Sequence, residues 1–333
     1  MDAIAPSAQA PKPHEIIEPE RQTLPLVFAS PHSGSDYPPA FLASSRLDPI
    51  SLRRSEDSFV HEIFGCAPEM GAPLLHALFP RAFVDPNREP YELDPAVFRD
   101  RLPPYANTSS PRVAAGLGTI ARVVATGANI YRRKLSLEEG LERIRSYYWP
   151  YHEALRSLVE ITKERFGYCI LIDCHSMPSG SRPPRGAPYG GAPQRNAAHR
   201  DGPQGVQGAA FVLGDCHGTT CAPVVTQTVE EVLCAKNYTV VRNTPYAGGF
   251  VTRHYGKPHA RVHCLQIEIN RHIYMDESRI ERRPALQALA QDMRDVVAAL
   301  GALDPREFTA SQTAMPVNGA APNGRPGAKE RTQ

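Results

Sequence analysis

Tyr168-Cys-Ile-Leu-Ile-Asp-Cys-His-Ser-Met177 is the stretch on which the reading of the chain turns. Its apolar run, Cys169 to Ile172, has the length of a strand buried on both faces. Within three residues it gives way to Asp173, His175 and Ser176, and then to a Pro/Gly/Arg loop that can be neither helix nor central strand. Enzymes built on open α/β sheets carry reactive groups at the carboxyl ends of their strands. A buried strand ending in an acid and a histidine fits that plan.

Working outward, the same edge recurs. Leu24-Pro-Leu-Val-Phe-Ala-Ser30 is a strand candidate running into Pro31-His32-Ser-Gly, and Ala72–Phe79 leads into Arg81, Asp85, Asn87 and Arg88. Mixed apolar spacings over 49–65 predict one helix. Ser136-Leu-Glu-Glu139 is a capping box that starts another, which Pro150 kinks or restarts before it runs on to Phe166. Further strands are expected at 209–214 and 238–242, with helices over about 221–236 and 284–300. Residues 262–270 alternate: Leu265, Ile267 and Ile269 face one way, Gln266, Glu268 and Asn270 the other. Strands alternating with helices predict a single α/β domain with a mixed, mainly parallel sheet flanked by helices. The catalytic domain is set at 23–303, between disordered tails at 1–22 and 304–333. The irregular stretches 91–118 and 178–208 are long excursions of the kind placed near sites.

Composition narrows the function. The 333 residues are 41% hydrophobic and 22% charged, values of a globular chain. A net charge of +2 gives no footprint for nucleic acid or for an acidic membrane surface. No apolar run approaches the ~20 residues of a membrane span, and no secretory leader opens the chain. Seven cysteines without a C-x-x-C pair predict reduced thiols in a cytoplasmic protein. Nucleotide-binding Gly-rich motifs, HExxH and GxSxG are all absent.

His32, His175 and Glu268 sit at strand ends. Two neutral imidazoles plus a carboxylate, with a fourth position left open, make a catalytic zinc site. If Glu268 is a base instead of a ligand, a second acid is needed, and Asp57 and Asp36 are both candidates. Arg81, Arg88, Arg253 and Arg271 end apolar or Gly-rich segments. Guanidinium groups grip carboxylates with paired hydrogen bonds, so these four predict an anionic substrate.

Taken in order, Pro31-His-Ser-Gly34, Glu56-Asp57, Arg81-x-x-x-Asp85-x-Asn87-Arg88, Asp173-x-His175-Ser176, Gly249-x-x-Thr252-Arg253-x-Tyr-Gly256 and Gln266-x-Glu268 resemble the motifs of the N-formylglutamate amidohydrolase (deformylase) family. The likeness spans about residues 25–280. It implies a zinc-exopeptidase (phosphorylase/hydrolase-like) type of α/β fold. It also implies Zn²⁺, or another divalent cation, held by His32, Asp57 and His175, with Glu268 as general base and Arg81 on the oxyanion. Asn87, Arg88, Arg253 and Arg271 would hold the carboxylates of a small N-acyl amino acid. The implied reaction is hydrolysis of N-formyl-L-glutamate to formate and L-glutamate, as in histidine breakdown. The alternatives are a hydrolase of another N-acyl amino acid or small peptide, and a non-catalytic binder of anionic metabolites.

Overall fold

The computed structural model describes residues 12–180 and 208–310. Seven strands form one sheet: β1 (His14–Ile17), β2 (Leu26–Ser30), β3 (Leu74–Ala77), β4 (Cys169–Met177), β5 (Phe211–Gly214), β6 (Val240–Arg242) and β7 (Val262–Asn270). Their order is β1-β3-β2-β4-β7-β5-β6. β3, β2, β4 and β7 run parallel. β1 is antiparallel to β3, and β5 to β7, which makes the sheet mixed. Every residue of β4 and of β7 is buried, as central parallel strands covered on both faces must be.

The side-chain alternation sorts the apolar residues into two cores. Ile170, Ile172, Cys174, Leu265, Ile267 and Ile269 face one core. It is closed by the helices Pro223–Ala235 and Ala285–Gly301 through Val225, Val229, Leu289 and Met293. Cys169, Leu171, Val262 and Cys264 face the other, covered by Tyr151, Leu155 and Val159 of the helix Trp149–Phe166. Each fully buried Val, Leu or Ile contributes about 1.5–3 kcal/mol. On this second face the apolar pattern stops at Leu171 and Cys264, and continues as Asp173, His175, Gln266 and Glu268. The site is therefore the polar end of a core face.

The capping box forms as read: Glu139 N donates to Ser136 Oγ at 3.1 Å and Ser136 N to Glu139 Oε2 at 2.7 Å. The helix Leu137–Arg143 then widens into a π-helical segment, Ile144–Tyr148, before continuing as Trp149–Phe166. Pro150 has no N–H to return to the preceding turn, which accounts for the change of pitch there.

Three expectations need correcting. First, residues 14–17 fall within the stretch read as a disordered lead-in, yet they form β1, pairing Ile16 with Leu75. The pairing satisfies backbone groups on an otherwise open edge of β3. Residues 1–11 of that lead-in lie outside the described residues. Second, 49–65 is not one helix. Two short turns, Pro49–Arg53 and Val60–Ile63, are separated by a bend at Phe59, whose φ is +68°. Asp57 lies in that connection, its N–H donating to His32 O at 3.0 Å. Third, the tail expected from 304 packs as far as Phe308, whose ring lies 5.1 Å from Tyr168. Residues 311–333, and most of the 178–208 excursion, lie outside the described residues.

Candidate active site

The carboxyl ends of β2, β4 and β7 open into a cleft of about 300 Å³. β2 runs into Pro31-His32-Ser33-Gly34. Gly34 is required because a Cβ there would lie 2.2 Å from Phe79 O, so only glycine lets the His32 turn press against the chain leaving β3. β4 supplies His175. The β4–β7 register sets His175 beside Glu268 and Asp173 beside Gln266.

Two buried imidazoles share one carboxylate. His175 Nδ1 lies 2.9 Å from Asp57 Oδ2 and His32 Nδ1 3.3 Å from the same oxygen. The far nitrogen of each ring meets another carboxylate. His32 Nε2 is 2.8 Å from Asp85 Oδ1, and His175 Nε2 is 2.9 Å from Asp173 Oδ1. A carboxylate behind each imidazole can hold the Nε2 proton, so that a bound cation would meet the Nδ1 lone pair; without one, Asp173 and Asp57 hold His175 well above its ordinary range against the effect of burial.

These residues fit a divalent cation. His32, Asp57 and His175 each offer a ligand atom, and those atoms all lie within 4.8 Å of one another. His32 Nδ1 is buried without a hydrogen-bond partner, a cost that an inward-facing ligand atom sheds on binding an ion. Two nitrogens and one carboxylate oxygen are a donor set suited to zinc. Asp36, the other acid considered, is exposed.

The electrostatics divide the acids. Burial alone would raise Asp57, but its bond to His175 and the close approach of the His32 ring hold it well below the usual carboxylate range. Asp85 is likewise held low against burial by Arg81 and His32. Glu268 behaves oppositely. Burial and the nearby Asp57 charge push it up to about 7, against the pull of His175, Arg81 and Arg271. Glu268 Oε1 accepts from Gln266 Nε2 at 3.0 Å. One carboxylate in the cleft is thus tuned to exchange a proton near neutrality while its neighbours stay ionised.

The remaining expected residues divide as follows. Arg81 donates through Nη2 to Asp85 Oδ2 at 2.7 Å and lines the cleft. Arg88 is buried along the cleft wall, donating to Leu117 O and Asn87 O. Asn87 Oδ1 accepts from Val251 N at 2.8 Å, and its Nδ2 lies 3.0 Å from His175 Nε2. The second Asn87 amide hydrogen has no acceptor among the described residues and remains for a ligand. Arg271 reaches the cleft, but its nitrogens are bonded to Ser176 Oγ, Arg54 O and Asp57 Oδ1. It therefore holds Asp57 in place. Arg253 is exposed, donates to Gly248 O at 2.9 Å and does not line the cleft.

Sequence reasoning did not assign Asp173 and Asp85 as the acids behind the two imidazoles. The signal was present for Asp173, since residues two apart on a strand share a face. Asp85 stands in the motif Arg81-x-x-x-Asp85-x-Asn87-Arg88, but only the fold brings it to His32.

Gly249 is a further requirement. A Cβ there would fall 2.3 Å from Asn87 Nδ2 and 2.4 Å from Oδ1. Gly249→Ala is expected to displace the Asn87 amide and raise KM about 10-fold or more, and to lower stability by about 1–3 kcal/mol because Val251 N loses its acceptor. Steady-state kinetics beside a melting curve checks this.

Groups that can deprotonate a water and steady an anion, set at strand ends of a mainly parallel sheet, are those of an α/β amide hydrolase. The chain belongs to the N-formylglutamate amidohydrolase family, whose model matches residues 24–275. It is similar to the N-formylglutamate deformylase of Pseudomonas aeruginosa, at 26% identity over 86% of this chain and 97% of that one. The corresponding Pseudomonas putida protein is also 26% identical, over 77% and 83%. The crystal structure of N-formylglutamate amidohydrolase from Ralstonia eutropha JMP134 superposes with a TM-score of 0.73 at 36% identity, over 91% of this chain and 99% of that one.

Proposed function

We propose that this protein hydrolyses the amide bond of N-formyl-L-glutamate in a metal-dependent reaction, releasing formate and L-glutamate. The observation that carries the reading is the β4–β7 register. It sets Glu268, among the described residues the one carboxylate raised towards neutrality, beside His175 of the His32–Asp57–His175 group. Membership of the family supports the substrate.

His32 Nδ1, Asp57 Oδ2 and His175 Nδ1 would hold Zn²⁺ or a similar divalent ion. Bound there, the ion supplies Lewis acidity, polarising the acyl oxygen and lowering the pKa of a water. The chain's own groups do the rest. Glu268 takes a proton as the water attacks the formyl carbon, then hands it to the leaving amine nitrogen. Arg81 has Nη1 and Nε without a protein acceptor among the described residues, and these face the developing oxyanion; such a donor is worth about 3–4 kcal/mol. Asn87 and Arg88 hold the substrate's α-carboxylate. Asp173, Asp85 and Arg271 keep both imidazoles and Asp57 oriented.

No helix among the described residues is long and apolar enough to cross a membrane. We place the reaction in the cytoplasm, in histidine breakdown. The deciding experiment follows formate release from N-formyl-L-glutamate with and without a chelator. Turnover lost to the chelator and restored by zinc is the expected result. Turnover indifferent to chelation removes the ion from the mechanism, and no turnover removes the deformylase assignment.

A further inference from the structure

The cleft is lined by four guanidinium groups, Arg81, Arg88, Arg112 and Arg271, against three carboxylates, Asp57, Asp85 and Glu268. Three of the four already donate to protein acceptors, Arg271 through all its nitrogens and Arg81 and Arg88 through part of theirs. Arg81 is bonded to Asp85, Arg271 to Asp57, Ser176 and Arg54 O, and Arg88 to Leu117 O and Asn87 O. Arg112 differs: it is exposed at the mouth of the cleft, and its side chain has no hydrogen bond or ion pair among the described residues.

Its backbone is nevertheless fixed. Arg112 sits on the helical turn Pro111–Ala114, capped by Ser110, whose Oγ accepts from Val113 N at 3.1 Å. Leu117 N donates to Arg112 O at 2.8 Å, and Leu117 O in turn accepts from Arg88 Nε at 2.9 Å. The turn that carries Arg112 is thus tied to the arginine beside it. Leu117, near the end of the 91–118 excursion, and Ala121 and Val123 just past it give this side of the cleft an apolar wall. Burial brings Arg88 down to about 10, and the positive charges of Arg81 and Arg112 push the same way against the pull of Asp85. Two cations on one wall of the cleft attract a negative group, although Asp85, 3.7 Å from Arg88 Nη2, and Glu92 draw on the Arg88 charge.

We propose that Arg112 is the specificity-determining residue for the second carboxylate, the one on the substrate's side chain, and that it makes the enzyme selective for dianionic N-acyl amino acids. This rests on the hydrolase reading above and deepens it. The apolar wall accommodates the methylenes between the two carboxylates. Arg88 takes the α-carboxylate and Arg112 closes on the distal one from the mouth. An unpaired guanidinium arm is suited to this because binding breaks no existing ion pair.

The test compares N-formyl-L-glutamate with N-formyl-L-glutamine, which has the same shape and a neutral side chain, in the parent, Arg112→Ala, Arg112→Lys and Arg253→Ala. Arg112→Ala should raise KM for N-formyl-L-glutamate about 10- to 100-fold with kcat nearly unchanged, and leave kcat/KM for N-formyl-L-glutamine as it was. Arg112→Lys should recover part of the selectivity, and Arg253→Ala should change neither substrate. An unaltered glutamate-to-glutamine ratio in Arg112→Ala, or an equal loss on both substrates, overturns the proposal. If the parent hydrolyses neither substrate, the deformylase reading fails, and calorimetry with L-glutamate and L-glutamine decides the anion site alone. A preference for L-glutamate that vanishes in Arg112→Ala upholds it, and no preference in the parent overturns it.

Discussion

Glu268→Gln should lower kcat by about 10³- to 10⁴-fold while leaving the ion content of the protein unchanged. Gln has the same shape, and its carbonyl oxygen can still accept the hydrogen bond from Gln266 Nε2. What it lacks is the ability to take a proton from water and return it to the amine. Formate release and elemental analysis on the same preparation check both halves. A variant keeping more than about a tenth of parental turnover would remove Glu268 as the base. The same substitution should have an opposite effect on stability. Glu268 is raised from 4.5 to about 7 in the fold, chiefly by burial. Its contribution to stability is therefore fully present below the unfolded value and is lost as pH rises through the folded one. At pH 8 the ionised side chain costs on the order of 3 kcal/mol, a cost the neutral amide does not carry. With chelator present, Glu268→Gln should melt higher than the parent at pH 8, and the gap should close towards pH 5.

The pattern behind this base was legible early. Residues 262–270 alternate so regularly that Glu268 must leave the apolar face, and all nine residues form β7 as read. The strand Cys169–Met177 was equally plain, because a short apolar run ending in Asp and His has few structural readings. What sequence could not supply was depth and direction. Asp57 and Asp36 are both acids following His32. Only the fold shows one buried against two imidazoles and the other exposed. The bend at Phe59 that carries Asp57 inward is invisible in a hydrophobic pattern that reads as helix. The arginines make the same point. Arg253 and Arg112 are both exposed, and neither position is marked by periodicity. Which one faces the cleft depends on a short helix, Phe250–Tyr255, and on how the 110–119 excursion folds back over Arg88. Strand β1 escaped notice because a four-residue edge strand has too little pattern to register and is held by its partner's open backbone.

His175→Gln should remove the ion and the activity together. His175 Nδ1 is one of three candidate ligand atoms, and losing one costs about 3 kcal/mol of binding, on the order of 10²-fold in affinity. Gln is a better choice than Ala because of what surrounds the ring. Asp57 and Asp173 are both fully buried and both bonded to His175. Emptying the position would leave two carboxylates short of a partner, a loss of about 3–5 kcal/mol that could unfold the protein for reasons unrelated to the ion. A carboxamide can still donate to one of them, and each acid keeps another bond, Asp57 to Arg271 and Asp173 to Thr252. Dialysed His175→Gln should therefore fold, melt cooperatively and carry far less zinc than the parent. Its turnover should fall with its zinc and rise again, in part, as free zinc is raised. Normal zinc content in a folded His175→Gln protein would take the residue out of the ligand set. The carboxylates of Asp57 and Asp173 would then have to be explained as a structural cluster built around a protonated imidazole, which both of them already favour by holding His175 well above its ordinary range against the effect of burial.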